Sequence, residues 1–248
     1  RRCRLMPHAN KPRIEIIGLG PSADEYITDH TRQRIAAHKH RYLRTAQHPS
    51  AHLVADAITF DERYETSGTF DAVYLGIAND LVAAAIEFGE ILYAVPGSPL
   101  ILERTVRLLM SDDRVECVIN PAMGFLEIAW ARLGIDPVES SVRLIDGHQF
   151  ATAAAGLTGP LLVAHCHANW VLSDIKLAAE DADNMSNDDM PVVILHHLGL
   201  TDEEVMTVPW SELDHSIEAD HLTSIYIPQL RVPVGQDLVA FHELARTL

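Results

Sequence analysis

Two glycines follow the first predicted strand of the chain, in the sequence Gly18-Leu19-Gly20-Pro21. Because glycine has no Cβ, its backbone can turn sharply and approach a ligand closely. A GxG turn that lacks a third glycine is weak evidence for a dinucleotide site, and no acidic residue ends a clear second strand to hold a ribose. On this motif alone, a structural turn and a ligand-binding loop are both open.

A second glycine turn has the sequence Pro96-Gly97-Ser98-Pro99 and follows another apolar run. The two prolines stiffen it. Ser98 is predicted to cap a helix that starts near Leu100, with Pro99 in the first turn. Because open α/β sheets bind ligands beyond the carboxyl ends of their strands, this turn is a second candidate ligand loop. An ordinary capped turn is the alternative.

Histidines cluster at two places, in His165-Cys166-His167 and in His196-His197. Imidazole is a common metal ligand, so the two clusters could converge on a cation. Neither has an Asp or Glu ligand at a familiar spacing, and the chain has 14 histidines, which makes chance clusters common. We therefore expect no metal site. The sequence also lacks the G-x-S-x-G elbow and the Walker lysine motif, so no catalytic residue is assigned.

The elements that position these turns alternate between apolar β-rich runs and helical patterns, which predicts βα units and an α/β fold. We predict two α/β lobes that meet near Asn120-Pro121, with a mostly parallel sheet in the first and a mixed sheet in the second. The predicted strands are Arg13 to Gly18, Arg41 to Thr45, Glu90 to Val95, Arg114 to Ile119, Ser141 to Ile145, Gly159 to His165, Val192 to His196, Glu204 to Val208 and Ser224 to Ile227. The predicted helices are Thr28 to His38, Asp71 to Phe88, Leu100 to Met110, Met123 to Leu133 and Asn169 to Ala182.

Composition and charge limit the function classes. With 248 residues and 48% hydrophobic content, the chain is long enough for one large or two ordinary cores. Residues 1–118 carry 14 lysines and arginines against 16 acids, whereas residues 119–248 carry 5 against 19. This negative field argues against nucleic acid as a partner. No apolar run approaches the length of a membrane span, and three cysteines suit a reducing compartment, so we expect a cytoplasmic protein.

Six segments in collinear order resemble the tetrapyrrole methylase family, in the branch found at the N-terminus of MazG-type nucleotide pyrophosphohydrolases. They are Gly18 to Pro21, Tyr93 to Glu103, Ile119 to Leu126, Gly134 to Pro137, Ser173 to Leu177 and His221 to Pro228. The resemblance covers about residues 13 to 230. It implies lobes at 13–119 and 120–230, a tail at 1–12, and a linker at 231–248 toward a possible pyrophosphohydrolase domain. The segment Phe241-His242-Glu243-Leu244 resembles the lead-in to such a domain.

The resemblance also implies a homodimer and S-adenosylmethionine, or S-adenosylhomocysteine, in a cleft between the lobes. The family's cofactor loops, GxGPGD, GGDP and PGxS, map onto three segments of this chain. The residues implied to bind the cofactor are Gly18, Gly20, Pro21, Gly97, Ser98, Pro99, Gly124 and Phe125, with Pro121 beside them. Ser22, Ala23 and Ser98 stand where the family has Gly, Asp and Asp.

The function that the resemblance implies is an S-adenosylmethionine-dependent methyltransferase domain with a small-molecule acceptor. Methyl transfer from a sulfonium needs mainly in-line positioning, so no conspicuous catalytic residue is required. A carboxylate-rich acceptor would need cations, and the candidates are Arg41, Arg44, Arg104 and Arg107. The alternatives are a ligand-sensing or dimerisation domain of a MazG-type pyrophosphohydrolase and a generic Rossmann-type dehydrogenase.

Overall fold

The computed structural model describes residues 11–180, 189–231 and 234. The chain divides into two compact units between Glu127 and Ile128. This division falls slightly beyond the boundary near Asn120-Pro121 suggested by the sequence, and the limits of the two lobes remain predictions. Most of the tail at 1–12 and of the linker at 231–248 lies outside the described residues.

The first unit is a five-stranded sheet covered by helices. Its elements are β1 (Arg13–Gly18), α1 (Asp29–Ala37), β2 (Arg41–Leu43), β3 (Ile58–Thr59), α2 (Asp61–Thr66), α3 (Phe70–Phe88), β4 (Glu90–Val95), α4 (Arg104–Met110) and β5 (Glu116–Ile119). The strand order is β3-β2-β4-β1-β5, and all the pairs are parallel. A parallel sheet places the carboxyl ends of its strands along one edge, so the loops after β1, β4 and β5 are neighbours.

Local sequence explains why these elements form where they do. Ile14, Ile16 and Ile17 of β1 are fully buried, as expected for a strand covered on both faces. The hydroxyl of Thr28 accepts a hydrogen bond from the backbone N–H of Thr31 at 3.1 Å, which confirms the predicted N-cap of α1. Helix α3 ends at Gly89, whose φ of 82° is accessible to glycine at little cost.

The predicted cap at Ser98 is wrong. Helix α4 begins at Arg104, with Glu103 rather than Ser98 at its N-cap. The physical reason is the backbone of Leu102, which has a φ of 60° and cannot belong to a right-handed helix. Ser98 and Pro99 instead belong to the loop between β4 and α4, and residues 100–103 separate them from the start of the helix.

The second unit is built on a mixed sheet of five strands. Helix α5 (Phe125–Leu133) contains the division between the units and ends at Gly134, as predicted, with a hydrogen bond from Gly134 N–H to the carbonyl of Trp130. The following elements are β6 (Arg143–Asp146), α6 (Phe150–Ala153), β7 (Leu161–Ala164), α7 (Asn169–Glu180), β8 (Pro191–His196), β9 (Glu204–Pro209) and β10 (Thr223–Ile227). The last two predicted residues of α7 lie outside the described residues.

The strand order of this second sheet is β6-β7-β10-β8-β9. Only β6 and β7 pair in parallel, and the other three pairs are antiparallel. The buried side of the sheet packs against a core that includes Phe150, Leu172, Ile175 and Trp210. The predicted fold class, a parallel sheet in one part and a mixed sheet in the other, is confirmed. No helix within the described residues has the length and apolar character that crossing a membrane requires.

Candidate functional site

Three loops meet at the carboxyl edge of the parallel sheet. Leu19 N–H, just beyond β1, donates to the carbonyl of Val95 at the end of β4 at 2.8 Å. Two residues further on, Gly97 N–H donates to the carbonyl of Gly20, also at 2.8 Å. These bonds extend the pairing of β1 and β4 past the ends of the strands, so the two glycine turns predicted from the sequence are held side by side.

Gly18 lies where the third loop, which follows β5, joins the other two. A Cβ on Gly18 would be 2.1 Å from the carbonyl oxygen of Gly97 and 2.6 Å from the Cβ of Ala122. It would also be 3.0 Å from Cδ of Pro99. Such distances are far inside van der Waals contact, so only glycine permits this approach of the backbones. Gly18 therefore serves the packing of the three loops.

Gly97 differs from Gly18 because it faces open space. Its φ is 62°, a conformation that strongly favours glycine, and an added Cβ would meet no atom within 4 Å. Ser98 beside it is half-buried, whereas Pro99 is buried. Gly97 and Ser98 thus present backbone and hydroxyl groups at a surface that neighbouring side chains leave uncovered.

The third loop ends at the start of α5. The carboxylate of Glu127 accepts a hydrogen bond from Gly124 N–H at 2.7 Å, which fixes the entry into the helix. A Cβ on Gly124 would lie 3.3 Å from Cβ of Ser98, so this glycine also permits close contact between loops. Pro21 and Phe125 are half-buried and Pro121 is exposed. The structure therefore brings all the predicted cofactor residues to one edge of the sheet.

A histidine that the sequence patterns do not single out supports the first loop. His48 Nε2 lies 3.0 Å from the carbonyl oxygen of Gly20, and its Nδ1 accepts a hydrogen bond from Ser50 N–H at 3.2 Å. This pair of contacts requires the neutral ring with its proton on Nε2. Burial lowers the pKa of His48, although the bond to Gly20 acts in the opposite direction. His48 is a fixed neutral donor.

A buried ion pair lies beyond the second loop. Arg44 donates to the carboxylate of Glu103 and, at 3.0 Å, to the hydroxyl of Tyr64. Burial raises the pKa of Glu103 to about 7, and the charge of Arg44 opposes that shift. Since its guanidinium is committed to Glu103, Arg44 is not a free cation for an acidic acceptor. Arg104 and Arg107 remain exposed on α4.

A second buried carboxylate, Glu15, anchors the third loop. Arg34 binds both of its oxygens, at 2.5 and 2.6 Å, and the side-chain amide of Asn120 donates to it at 3.0 Å. Burial acts to raise the pKa of Glu15, but the hydrogen bonds from Arg34 and Asn120 outweigh it and the pKa is lowered. Asn120 N–H also donates to the carbonyl of Ile16. An acid in the middle of an apolar strand thus positions the start of the loop.

The cysteine between the first pair of histidines is a packing residue. Cys166 is fully buried, and burial raises the pKa of its thiol. His165 beside it contacts Asp146 at 3.2 Å. The thiol is therefore protonated and inaccessible, which gives it the character of a small apolar side chain.

Comparison with known proteins agrees with this fold. The sequence profile described as Tetrapyrrole (Corrin/Porphyrin) Methylases matches residues 13–214. A curated protein of Bacillus subtilis (strain 168), YabN, is 29% identical over 240 residues. That alignment covers 94% of this chain and 47% of YabN, so the chain spans about half the length of the curated relative that it matches.

Solved structures with the same fold include two methyltransferases. The precorrin-6Y methylase of Archaeoglobus fulgidus superposes with a TM-score of 0.61 and 22% identity, covering 88% of this chain and 98% of that one. A uroporphyrin-III C-methyltransferase of Thermus thermophilus, complexed with S-adenosylhomocysteine, gives 0.62 and 12% identity, covering 87% and 96%. These likenesses concern the fold. Because the family profile matches most of the chain, the protein belongs to the tetrapyrrole (corrin/porphyrin) methylase family.

Proposed function

We propose that this protein is an S-adenosylmethionine-dependent methyltransferase domain that acts on a small-molecule acceptor. The observation that carries the proposal is the junction of three glycine-bearing loops at the carboxyl edge of one parallel sheet, in a chain of this family. Ligands of open α/β sheets bind at this edge. Backbone hydrogen bonds from Leu19 and Gly97 join the first two loops, and the bond from Asn120 N–H to the carbonyl of Ile16 ties the start of the third loop to β1.

The residues at this edge leave backbone and side-chain groups open to a bound cofactor. Gly97 has open space where a side chain would project, so a ligand can reach its backbone. Ser98 offers a hydroxyl next to it, and the half-buried Pro21 and Phe125 offer apolar surface. We assign ligand contact to these four residues together with Gly20. The remaining three residues support the surface without contacting the ligand, because they pack against one another or against neighbouring loops: Gly18, Pro99 and Gly124.

When bound, S-adenosylmethionine supplies an electrophilic methyl group on its sulfonium. The task of this chain is then to orient the sulfonium and to exclude water, because in-line methyl transfer depends chiefly on position. The carbonyl of Gly20 is held by both Gly97 N–H and His48, so it cannot swing as a ligand enters. The prolines on either side of Gly97 and Ser98 restrict the second loop.

Calorimetric titration tests the cofactor. We expect S-adenosylmethionine and S-adenosylhomocysteine to bind with a stoichiometry of one per chain, and NAD to give no binding heat. The NAD arm separates the proposal from the dehydrogenase alternative. If neither S-adenosylmethionine nor S-adenosylhomocysteine binds detectably at millimolar concentration, the proposal is wrong. Saturable binding of NAD would favour the dehydrogenase alternative instead.

The finer assignment to the MazG-associated branch, the homodimer and the cytoplasmic location remain proposals that rest on the sequence motifs and composition.

A ligand-sensing domain would bind the cofactor without transferring its methyl group. Incubation with methyl-labelled S-adenosylmethionine and a panel of carboxylated tetrapyrroles separates the two roles. Label transfer supports the enzyme, whereas tight binding with no turnover of any acceptor favours the sensor.

A further inference from the structure

A compact cluster of histidines and carboxylates lies at one end of the mixed sheet. Its residues are far along the chain from the three glycine-bearing loops. His196 is the last residue of β8 and pairs with Thr223, the first residue of β10. His197 follows directly, and Asp220 precedes β10 by three positions. The cluster therefore lies where β8 ends and β10 begins, at the two strands in the centre of its sheet's antiparallel half.

The geometry of the cluster centres on the ring of His197. Its Nδ1 lies 2.6 Å from a carboxylate oxygen of Asp202, and its Nε2 lies 2.8 Å from a carboxylate oxygen of Asp220. His196 Nδ1 lies 3.8 Å from the other carboxylate oxygen of Asp220 and 2.9 Å from the hydroxyl of Thr223. One ligand atom from each of His196, His197 and Asp220 falls within 4.8 Å of the other two.

The backbone at His197 has the conformation needed to bring two adjacent histidines together. Successive side chains of a strand point to opposite faces of the sheet. His197 departs from the strand with a φ of 52°, and the two imidazole rings stack with their centroids 3.7 Å apart. A positive φ is costly for a residue other than glycine and is enriched at functional sites. The turn thus directs both rings to the same side.

We propose that His196, His197 and Asp220 bind one divalent transition-metal cation of the Zn²⁺ type. Two imidazole nitrogens and one carboxylate oxygen suit zinc and its neighbours, whereas Mg²⁺ and Ca²⁺ prefer oxygen ligands throughout. The three side chains would bind through His196 Nδ1, His197 Nε2 and a carboxylate oxygen of Asp220. With three protein ligands, a tetrahedral cation keeps one position for water or another small ligand.

Asp202 supplies the outer support that metal-binding histidines usually have. It accepts a hydrogen bond from His197 Nδ1, the nitrogen that does not face Asp220. A carboxylate in this position fixes the ring orientation and the tautomer and makes the ligating nitrogen more basic. The pair of Asp202 and His197 is therefore already oriented as it would be around a cation bound to His197 Nε2.

A second group of potential ligands in the first unit, Glu15, His38 and Glu90, serves as a contrast. There the guanidinium of Arg34 binds both oxygens of Glu15. A metal ion would have to compete with that resident cation. Around His196 and His197, by contrast, the described contacts that neutralise Asp202 and Asp220 come from histidine, which can exchange a proton for a metal.

The test uses the whole chain, freed of any affinity tag and dialysed against a chelator. Titration with Zn²⁺ by calorimetry and with Co²⁺ by visible absorption reports the stoichiometry and the ligand field. We expect one site with micromolar or tighter affinity. His196→Ala and Asp220→Asn should each weaken binding at least a hundredfold, and Asp202→Asn should weaken it about 10–100-fold.

His165→Ala is the matched control, because it removes a histidine that also contacts an aspartate in the same unit. Its affinity for Zn²⁺ should equal that of the wild type. Circular dichroism spectra and melting curves of all four variants show whether each is folded. The proposal is overturned by the absence of saturable binding to the wild type, or by tight binding that survives both His196→Ala and Asp220→Asn in folded protein. Neither readout depends on S-adenosylmethionine.

Discussion

The backbone N–H of Gly97 donates to the carbonyl oxygen of Gly20 at 2.8 Å, which joins two loops that are far apart in the sequence. His48 Nε2 contacts the same oxygen at 3.0 Å. Both lone pairs of this carbonyl are therefore engaged by the protein. A surface fixed in this way loses little conformational entropy when a ligand binds, which is the general advantage of a preorganised site.

Replacement of Gly18 by alanine should destabilise the first unit. The new Cβ would collide with the carbonyl oxygen of Gly97 at 2.1 Å, and neither backbone can move without breaking the junction of the loops. We expect a loss of about 2–3 kcal/mol in the free energy of unfolding, measured in urea. Gly68→Ala is the control, since its Cβ would meet nothing within 4 Å and its φ is not positive. Equal stability of the two variants would refute the packing role of Gly18.

The neutral state of His48 predicts a dependence of stability on pH. Because burial lowers its pKa in the folded state, the unfolded chain takes up a proton first as the pH falls below about 6.5. The contribution of His48 is thus complete above that value and declines as the pH falls toward the lowered pKa. His48→Gln keeps a donor near Gly20 but does not titrate. We expect the wild type to lose stability relative to this variant between about pH 7 and 5, and parallel curves would exclude this role.

Removal of Arg44 should be most harmful at high pH. Glu103 already has a pKa of about 7, above its ordinary value of 4.5, so the folded state holds a proton on it more tightly than the unfolded chain does. Without Arg44 this preference grows, and the stability of Arg44→Met should fall as the pH rises from about 4.5 through 7 and beyond. At pH 8 we expect a loss of about 3 kcal/mol, typical of a buried pair broken on one side.

The double variant Arg44→Met, Glu103→Gln serves as the control for that experiment. It has no ionisable group at either position, so the additional pH dependence should disappear. Urea denaturation of both variants and the wild type at pH 5.5 and pH 8, set on either side of the pKa of about 7, provides the comparison. An Arg44→Met variant whose loss of stability is the same at both pH values would show that Glu103 does not titrate as described.

Local sequence signals predicted the framework of the fold. The apolar run of β1 and the threonine before α1 are properties of short segments, and both have the predicted structure. The glycine turns at Gly18 and Gly97 were also recognisable, because glycine at the end of a strand marks a position where backbones approach. The start of α4 was not, since nothing in the sequence Ser98-Pro99-Leu100 indicates the positive φ at Leu102.

The polar networks could not be predicted, because their members are distant in the chain. Glu15 lies in an apolar strand and meets Arg34 and Asn120 only after the sheet and α1 have packed. Likewise, His197 follows β8, and it contacts Asp220 from the segment before β10 only in the folded sheet. The sequence showed the adjacent histidines but not the carboxylate that makes a metal site conceivable. Tertiary contacts of this kind leave no periodic pattern in one sequence.

A comparison of Gly97→Ala with Gly89→Ala tests the proposed cofactor site most directly. Both glycines have a positive φ, 62° and 82°, and an added Cβ meets nothing within 4 Å at either one, so each replacement strains the backbone without a steric clash. They flank opposite ends of β4. We expect wild type and Gly89→Ala to bind S-adenosylmethionine equally well in calorimetry, while Gly97→Ala binds at least tenfold more weakly. Unchanged binding by Gly97→Ala, or no binding by the wild type, would contradict it.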